Sequence, residues 1–302
     1  MVATAILAIA AGACSSTRGG PPKIESYAMP VGAGPFRLGI DVEGSVDVGG
    51  PDNTSALAQV MSTKGLEVSA RMRLDYDQNV SEASDGGRKV ELGATAISGR
   101  FRSFVASRDF GPGDLAAVGD GGTVVLAVAP DGTVRDATGS PLGGFGLPVV
   151  PDLITGWPCP PLPDGGADPG SAWPAAIVSP GGTTLVGTAS YEPGDLAGRH
   201  VLEVSADLEG DTRVRGVDLE SVVTTLAGAE LPDLHLSPMD LEAHVRTRNR
   251  CRFDAEDRSL VGWVVDATVG VTIHATSTAK YDAILDATTM SFEVSATATE
   301  AD

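Results

Sequence analysis

Apolar and polar residues alternate with a period of two through most of this chain. In the first such segment, residues 36–48, Leu38, Ile40 and Val42 alternate with Asp41 and Glu43. Successive side chains of a β-strand point to opposite faces, so this pattern predicts a strand with one buried and one solvated face. The alternation recurs in residues 66–76, 90–96, 185–191, 202–208, 241–253, 265–273 and 290–298.

Turn signals between these segments indicate how the strands pair. Ala129-Pro130-Asp131-Gly132 separates two apolar stretches and predicts a hairpin, because Gly accepts a positive φ. Short turns between amphipathic strands favour antiparallel pairing. We therefore predict a mainly β fold, built as antiparallel curved sheets or a sandwich, with two similar halves. One or two short helices are predicted at residues 54–63 and 217–228.

The N-terminus changes this picture. Thirteen uncharged residues, mostly Ala, Ile and Leu, end in Ala11-Gly12-Ala13 before Cys14. This layout is typical of a bacterial lipoprotein signal, in which the Cys is acylated and becomes the new N-terminus. It predicts an extracytoplasmic protein anchored to the cell membrane by lipid.

The predicted signal departs from the usual pattern in one respect. Secretory signals open with basic residues, whereas no Lys or Arg precedes Arg18. The signal therefore either begins upstream of Met1 or is atypical. The alternative is an ordinary secretion signal, with Cys14 an incidental thiol.

Composition shifts divide the rest of the chain. Residues 15–35 are rich in Ser, Gly and Pro, and residues 139–174 carry repeated Pro and Gly-Gly steps. We predict a lipoprotein signal segment at 1–13, a flexible tether at 14–35, an N-terminal β half at 36–138, a Pro/Gly-rich connector at 139–174 and a C-terminal β half at 175–302.

The charge balance excludes one class of partner. The formal net charge is −19, and nucleic-acid binding depends on neutralising phosphates with Lys and Arg. We predict no nucleic-acid partner. The simplest interpretation of the acidic surface is solubility.

Cysteine usage predicts one disulfide. If Cys14 carries lipid, Cys159 and Cys251 remain as a pair in an oxidising compartment, which favours a bridge. A bridge over so long a loop stabilises by about 4–5 kcal/mol in the chain-entropy model. The alternative is two unrelated buried thiols. Neither has a Cys or His at zinc-finger spacing, and no metal or other cofactor is predicted.

Several short motifs resemble a family of uncharacterised bacterial lipoproteins with a mostly β domain. They are Cys14, the hairpin at 129–134, Trp173, the Tyr191…Gly198-Arg199 turn, and Phe253-Asp254-Ala255-Glu256 leading into the strand at 261–273. The resemblance implies a cell-envelope location and brings no catalytic residue with it.

Candidate chemistry is sparse. The four histidines form no metal-binding or catalytic spacing, and G-x-S-x-G is missing from the sequence. Asp254, Glu256 and Asp257 could supply paired carboxylates, as in glycosidases, but Arg252 and Arg258 flank them in a predicted turn. A carboxylate-based cell-envelope hydrolase is therefore the alternative function.

The arginines at 246–252 are unusual in so acidic a chain. Arg246, Arg248, Arg250 and Arg252 share one face of a predicted strand, opposite Cys251. The simpler interpretation is a charged outer face paired with acidic residues on neighbouring strands. The alternative is an anion or partner contact. Taken together, the sequence predicts a non-enzymatic, lipid-anchored envelope protein that binds an envelope protein or an apolar ligand.

Overall fold

The computed structural model confirms the mainly β, antiparallel fold. It describes residues 23–27, 32–47, 66–84, 86–102, 107–114, 123–138, 158–178, 183–196, 198–221, 235–256, 259–277, 282 and 285–300. Its strands are β1 (Gly32–Asp47), β2 (Leu66–Glu82), β3 (Arg88–Arg102), β4 (Ser107–Phe110), β5 (Thr123–Val128), β6 (Val134–Thr138), β7 (Ala172–Val178), β8 (Thr184–Leu196), β9 (Arg199–Val217), β10 (Met239–Asp254), β11 (Leu260–His274) and β12 (Thr289–Glu300).

These strands form a single sheet that curls into a nearly closed, barrel-like shape. The order is β6-β5-β3-β2-β1-β12-β11-β10-β9-β8-β7, and β4 pairs with one end of β3. All neighbours are antiparallel. The first and last strands lie side by side in the middle, so β1–β6 and β7–β12 occupy opposite halves of the sheet.

The alternation seen in the sequence becomes two distinct faces. From Met239 to Phe253 of β10, the inward residues are buried and the outward ones are exposed or half-buried. We call the inward side the apolar face and the other side the polar face. The apolar face forms one continuous core, and its largest fully buried side chains include Tyr191, Phe253, Ile40, Leu74 and Ile97.

Two segments outside the strands pack against the apolar face. Residues 158–167, here named the strap, are anchored by the disulfide between Cys159 and Cys251, which confirms the predicted bridge. Both cysteines are buried, and their Cα atoms lie 5.6 Å apart. Asn249 of β10 donates a hydrogen bond to the Pro158 carbonyl at 2.9 Å. The strap is thus tied to β10 by a covalent bond and a hydrogen bond.

The strap also connects distant parts of the sheet. Trp173 of β7 donates to the Pro161 carbonyl at 2.8 Å, and the Leu162 amide donates to the Asp131 carbonyl, in the β5–β6 turn, at 2.8 Å. Because β6 and β7 are the two ends of the strand order, the strap bridges the opening between them.

Residues 23–27 form the second segment. Ile24 exchanges backbone hydrogen bonds with Ala167, and the Tyr27 ring stacks on Phe253 with centroids 4.7 Å apart. The Tyr27 hydroxyl donates to the Pro160 carbonyl at 2.6 Å, and burial raises the pKa of this phenol. The predicted tether at 14–35 therefore includes residues that belong to the folded body.

Other elements also differ from the sequence prediction. Strand β7 begins at Ala172, within the predicted connector, and the four-residue β4 was not predicted at all. Of the helix predicted at 217–228, residues 219–221 are helical and 222–228 lie outside the described residues. The helix predicted at 54–63 also lies outside them. In the part of the chain that the structure describes, no helix is both long and apolar enough to cross a membrane.

Candidate functional site

The polar face carries two rows of side chains that run across the strands. Residues opposite each other in an antiparallel pair point to the same face. The register of the strands therefore places the members of each row next to one another. From β8 to β1, the first row is Thr188, Asp207, Arg248, Asp266, Ser295 and Asp41. The second row is Val186, Glu209, Arg246, Thr268, Glu293 and Glu43.

The carboxylates of the first row all have partners. Arg248 lies between two acidic residues and bonds Asp207 at 2.7 Å, which holds the pKa of its guanidinium above the ordinary value. Asp266 accepts hydrogen bonds from Arg250 and Ser295, both at 2.8 Å. At the far end Asp41 pairs with Arg71 of β2 at 2.5 Å. This row is electrically balanced by its neighbours.

The second row is not balanced. Arg246 forms an ion pair with Glu209 at 3.4 Å, but Glu293 and Glu43 face each other directly across β12 and β1. Neither carboxylate forms an ion pair with any described residue, although Arg71 attracts Glu43 at longer range. Like charges directly opposite each other destabilise a sheet, so the fold keeps an unfavourable pair at this position.

Both rows line a groove of about 1020 Å³. A twisted sheet that curls toward closure takes a hyperboloid shape, whose outer surface is concave along the strands. The groove crosses five neighbouring strands, from β8 through β12, and ends at β1. A smaller groove of about 420 Å³ continues on the same face, where His244 pairs with Asp211 at 2.7 Å.

Two glycines permit the tight strand packing at the β8 end of the groove. A Cβ atom on Gly187 would overlap the backbone carbonyl oxygen of Asp207, and one on Gly210 would overlap that of Thr184. Glycine in a strand commonly marks such a close approach of two backbones. Next to Gly187, Val186 projects into the groove with 54% of its surface exposed, although it is a large apolar residue.

The predicted arginines all lie on the polar face, as the alternation indicated. Besides the pairs described above, Arg252 bonds Glu203 at 2.8 Å. Each arginine thus has an acidic partner on a neighbouring strand, as the simpler interpretation expects. Only Arg246 and Arg248 line the groove, and the anion or partner contact stays a prediction for these two.

Of the candidate carboxylates at 254–257, Asp254 stabilises the turn that follows β10. Asp254 is buried, forms an ion pair with Arg199 at 2.5 Å and accepts the Glu256 backbone amide at 2.7 Å. It therefore closes the turn that follows β10. Glu256 is exposed, and Asp257 and Cys14 lie outside the described residues.

No local pattern in the sequence identifies the groove. Its two rows could have been found only by aligning strands that are far apart in the chain, such as β1 and β12. Among the described residues, no group of three or more His, Cys, Asp or Glu side chains is placed to hold a metal ion. No family model and no curated protein matches this chain.

Proposed function

We propose that this chain is a lipid-anchored extracytoplasmic protein with a non-enzymatic role, and that it binds a partner in the groove on its polar face. The observation that carries the binding role is the groove itself, an exposed concave surface of about 1020 Å³ that combines ion pairs, unpaired carboxylates and an exposed valine. Specific interfaces combine apolar anchors with charged groups in this way.

Three features support the location. The apolar segment before Cys14 has the layout of a lipoprotein signal, and the short motifs resemble those of envelope lipoproteins. The buried Cys159–Cys251 bridge is of a kind that forms and persists in oxidising compartments.

The packing favours a protein partner over an apolar ligand. An apolar ligand would have to lie against the apolar face, where Tyr27, Cys159 and Leu162 are already packed into the core. Two cavities, of about 1020 and 420 Å³, lie on the opposite, polar face. A ligand in the core would therefore have to displace the strap or the 23–27 segment.

The location is tested by fractionating cells that express the full chain. The wild type is expected in the membrane fraction, and the Cys14→Ala variant is expected to be released from it. If Cys14→Ala stays membrane-bound, the lipid anchor is refuted.

The binding role is tested by photo-crosslinking in the same cells. A photoreactive residue at Thr188 or Thr268, both exposed in the groove, should give protein adducts that the same residue at Asp77 or Glu82 does not. Equal adducts at all four positions would refute the groove as the binding site. Lipid that co-purifies with Cys14→Ala in native mass spectrometry would instead support an apolar ligand.

A further inference from the structure

The charges that line the groove indicate which charge its partner carries. The lining contains six carboxylates and two guanidiniums. Arg71 and Arg250, just outside the lining, neutralise Asp41 and Asp266. The two carboxylates of the lining that form no ion pair are those of Glu43 and Glu293, which face each other across β1 and β12, and only Glu43 is attracted at longer range by Arg71.

A cationic group placed between these two carboxylates would remove an unfavourable contact and gain charge-assisted hydrogen bonds. Sheets usually place opposite charges or neutral residues in such directly opposed positions, and the first row of this groove does so with Asp207 and Arg248. The second row departs from this arrangement only where Glu43 faces Glu293. The negative charge of these two carboxylates complements a positively charged partner.

The other end of the second row is apolar. Val186 on β8 is four strands away from Glu293 on β12. At about 4.8 Å per strand this separation is roughly 19 Å, which an extended polypeptide covers in about six residues. Between them, Glu209 and Arg246 neutralise each other.

From this arrangement we infer that the groove binds an extended, basic segment of a partner polypeptide. Its Lys or Arg side chains would lie between Glu43 and Glu293, and an apolar side chain about six residues away would cover Val186. The inference rests on the proposed binding function and adds the chemical class of the partner.

The test uses the purified full chain and a fluorescent twelve-residue peptide. The peptide carries a Leu six residues before a Lys-Lys pair in a Gly/Ser background, and anisotropy reports binding. The Glu43→Gln/Glu293→Gln variant should bind about tenfold or more weakly, since charge-assisted bonds are lost. The control Asp77→Asn/Glu82→Gln makes the same change in net charge outside the groove and should change affinity less than about twofold. Circular dichroism checks that both variants are folded.

Val186→Ser tests the apolar end. It should weaken binding of the Leu-containing peptide by about fivefold and leave the affinity for a Leu→Ser peptide unchanged, because only the Leu-containing peptide covers Val186 with an apolar side chain.

Three outcomes would overturn the inference: no binding by the wild type, equal weakening in the two double variants, or binding of spermine as tight as that of the peptide. The second would mean diffuse attraction to an acidic protein, and the third a site for small cations. Photo-crosslinked adducts at Thr188 without peptide binding would leave the binding role intact and refute only the basic partner.

Discussion

Strand β10 contributes residues to both faces of the sheet, and different interactions stabilise the two faces. Inward, Val245, Cys251 and Phe253 are buried in the core. Outward, Arg246 and Arg248 are mostly exposed and pair with acids of β9. Burial of apolar surface contributes about 25 cal/mol per Å², whereas exposed ion pairs contribute about 0–1 kcal/mol each. The apolar face therefore determines stability, and the polar face can vary in charge without unfolding the protein.

This difference also locates function. A binding surface must remain accessible and must tolerate groups that do not stabilise the fold. The Glu43–Glu293 pair and the exposed Val186 are such groups, and both lie on the polar face. A comparable pair of carboxylates in the core would cost far more, because an unpaired charge is poorly tolerated where water is excluded.

The largest effect is expected from Phe253→Ala on the apolar face. The ring is buried and stacks on Tyr27, so its loss should lower the free energy of unfolding by about 3–5 kcal/mol. Urea unfolding followed by circular dichroism measures the change. A loss below about 1 kcal/mol would mean that the 23–27 segment does not pack on β10.

Removal of the disulfide should have the next largest effect. The bridge joins residues 92 positions apart, so Cys159→Ala/Cys251→Ala should cost about 2–5 kcal/mol. Hydrogen exchange should rise first in residues 158–167 and 23–27, which the bridge holds, and stay low in β12. A uniform rise in hydrogen exchange over the whole sheet would contradict the expectation that the bridge mainly holds the strap and residues 23–27 in place.

Two polar residues of β10 test the apolar face more finely. Asn249→Ala removes the donor to the buried Pro158 carbonyl and should cost about 1–3 kcal/mol. Thr247→Val should be neutral or stabilising, because its buried hydroxyl has no hydrogen-bond partner in the described structure. The same urea titration separates the two, and equal losses would show that the Asn249 hydrogen bond is not important.

On the polar face, Arg246→Ala should lower stability by at most about 1 kcal/mol, since its ion pair with Glu209 is exposed. The loss should shrink further in 1 M salt, where charges are screened. A salt-independent loss of stability larger than that from Asn249→Ala would mean that Arg246 stabilises the fold by more than its exposed ion pair.

The smallest effect should have the opposite sign. Glu293→Gln relieves the repulsion from Glu43 and should stabilise the protein by less than about 1 kcal/mol at low salt. The gain should disappear in 1 M salt. A loss of stability would show that Glu293 has a favourable partner, and the proposed cationic site would lose its physical basis.

Much of this molecule follows from local pattern in the sequence. Alternation alone predicted the long strands, the two faces of β10 and the outward position of the four arginines, because side-chain direction in a strand depends only on parity. The bridge between Cys159 and Cys251 followed from assigning Cys14 to lipid. Alternation gives no reason for the polar Thr247 and Asn249 on the inward face, because a partner such as the Pro158 carbonyl lies far away in the chain.

The tertiary structure decided the rest, since it depends on which strands are neighbours. The order that places β1 beside β12 sets Glu43 opposite Glu293, and no local pattern encodes a contact between residues 250 positions apart. The same holds for the pairing of each arginine and for the packing of residues 23–27 against the strap. Parity specifies the face on which a side chain lies, but register between distant strands specifies what it meets there, and register is selected by the packing of the whole sheet.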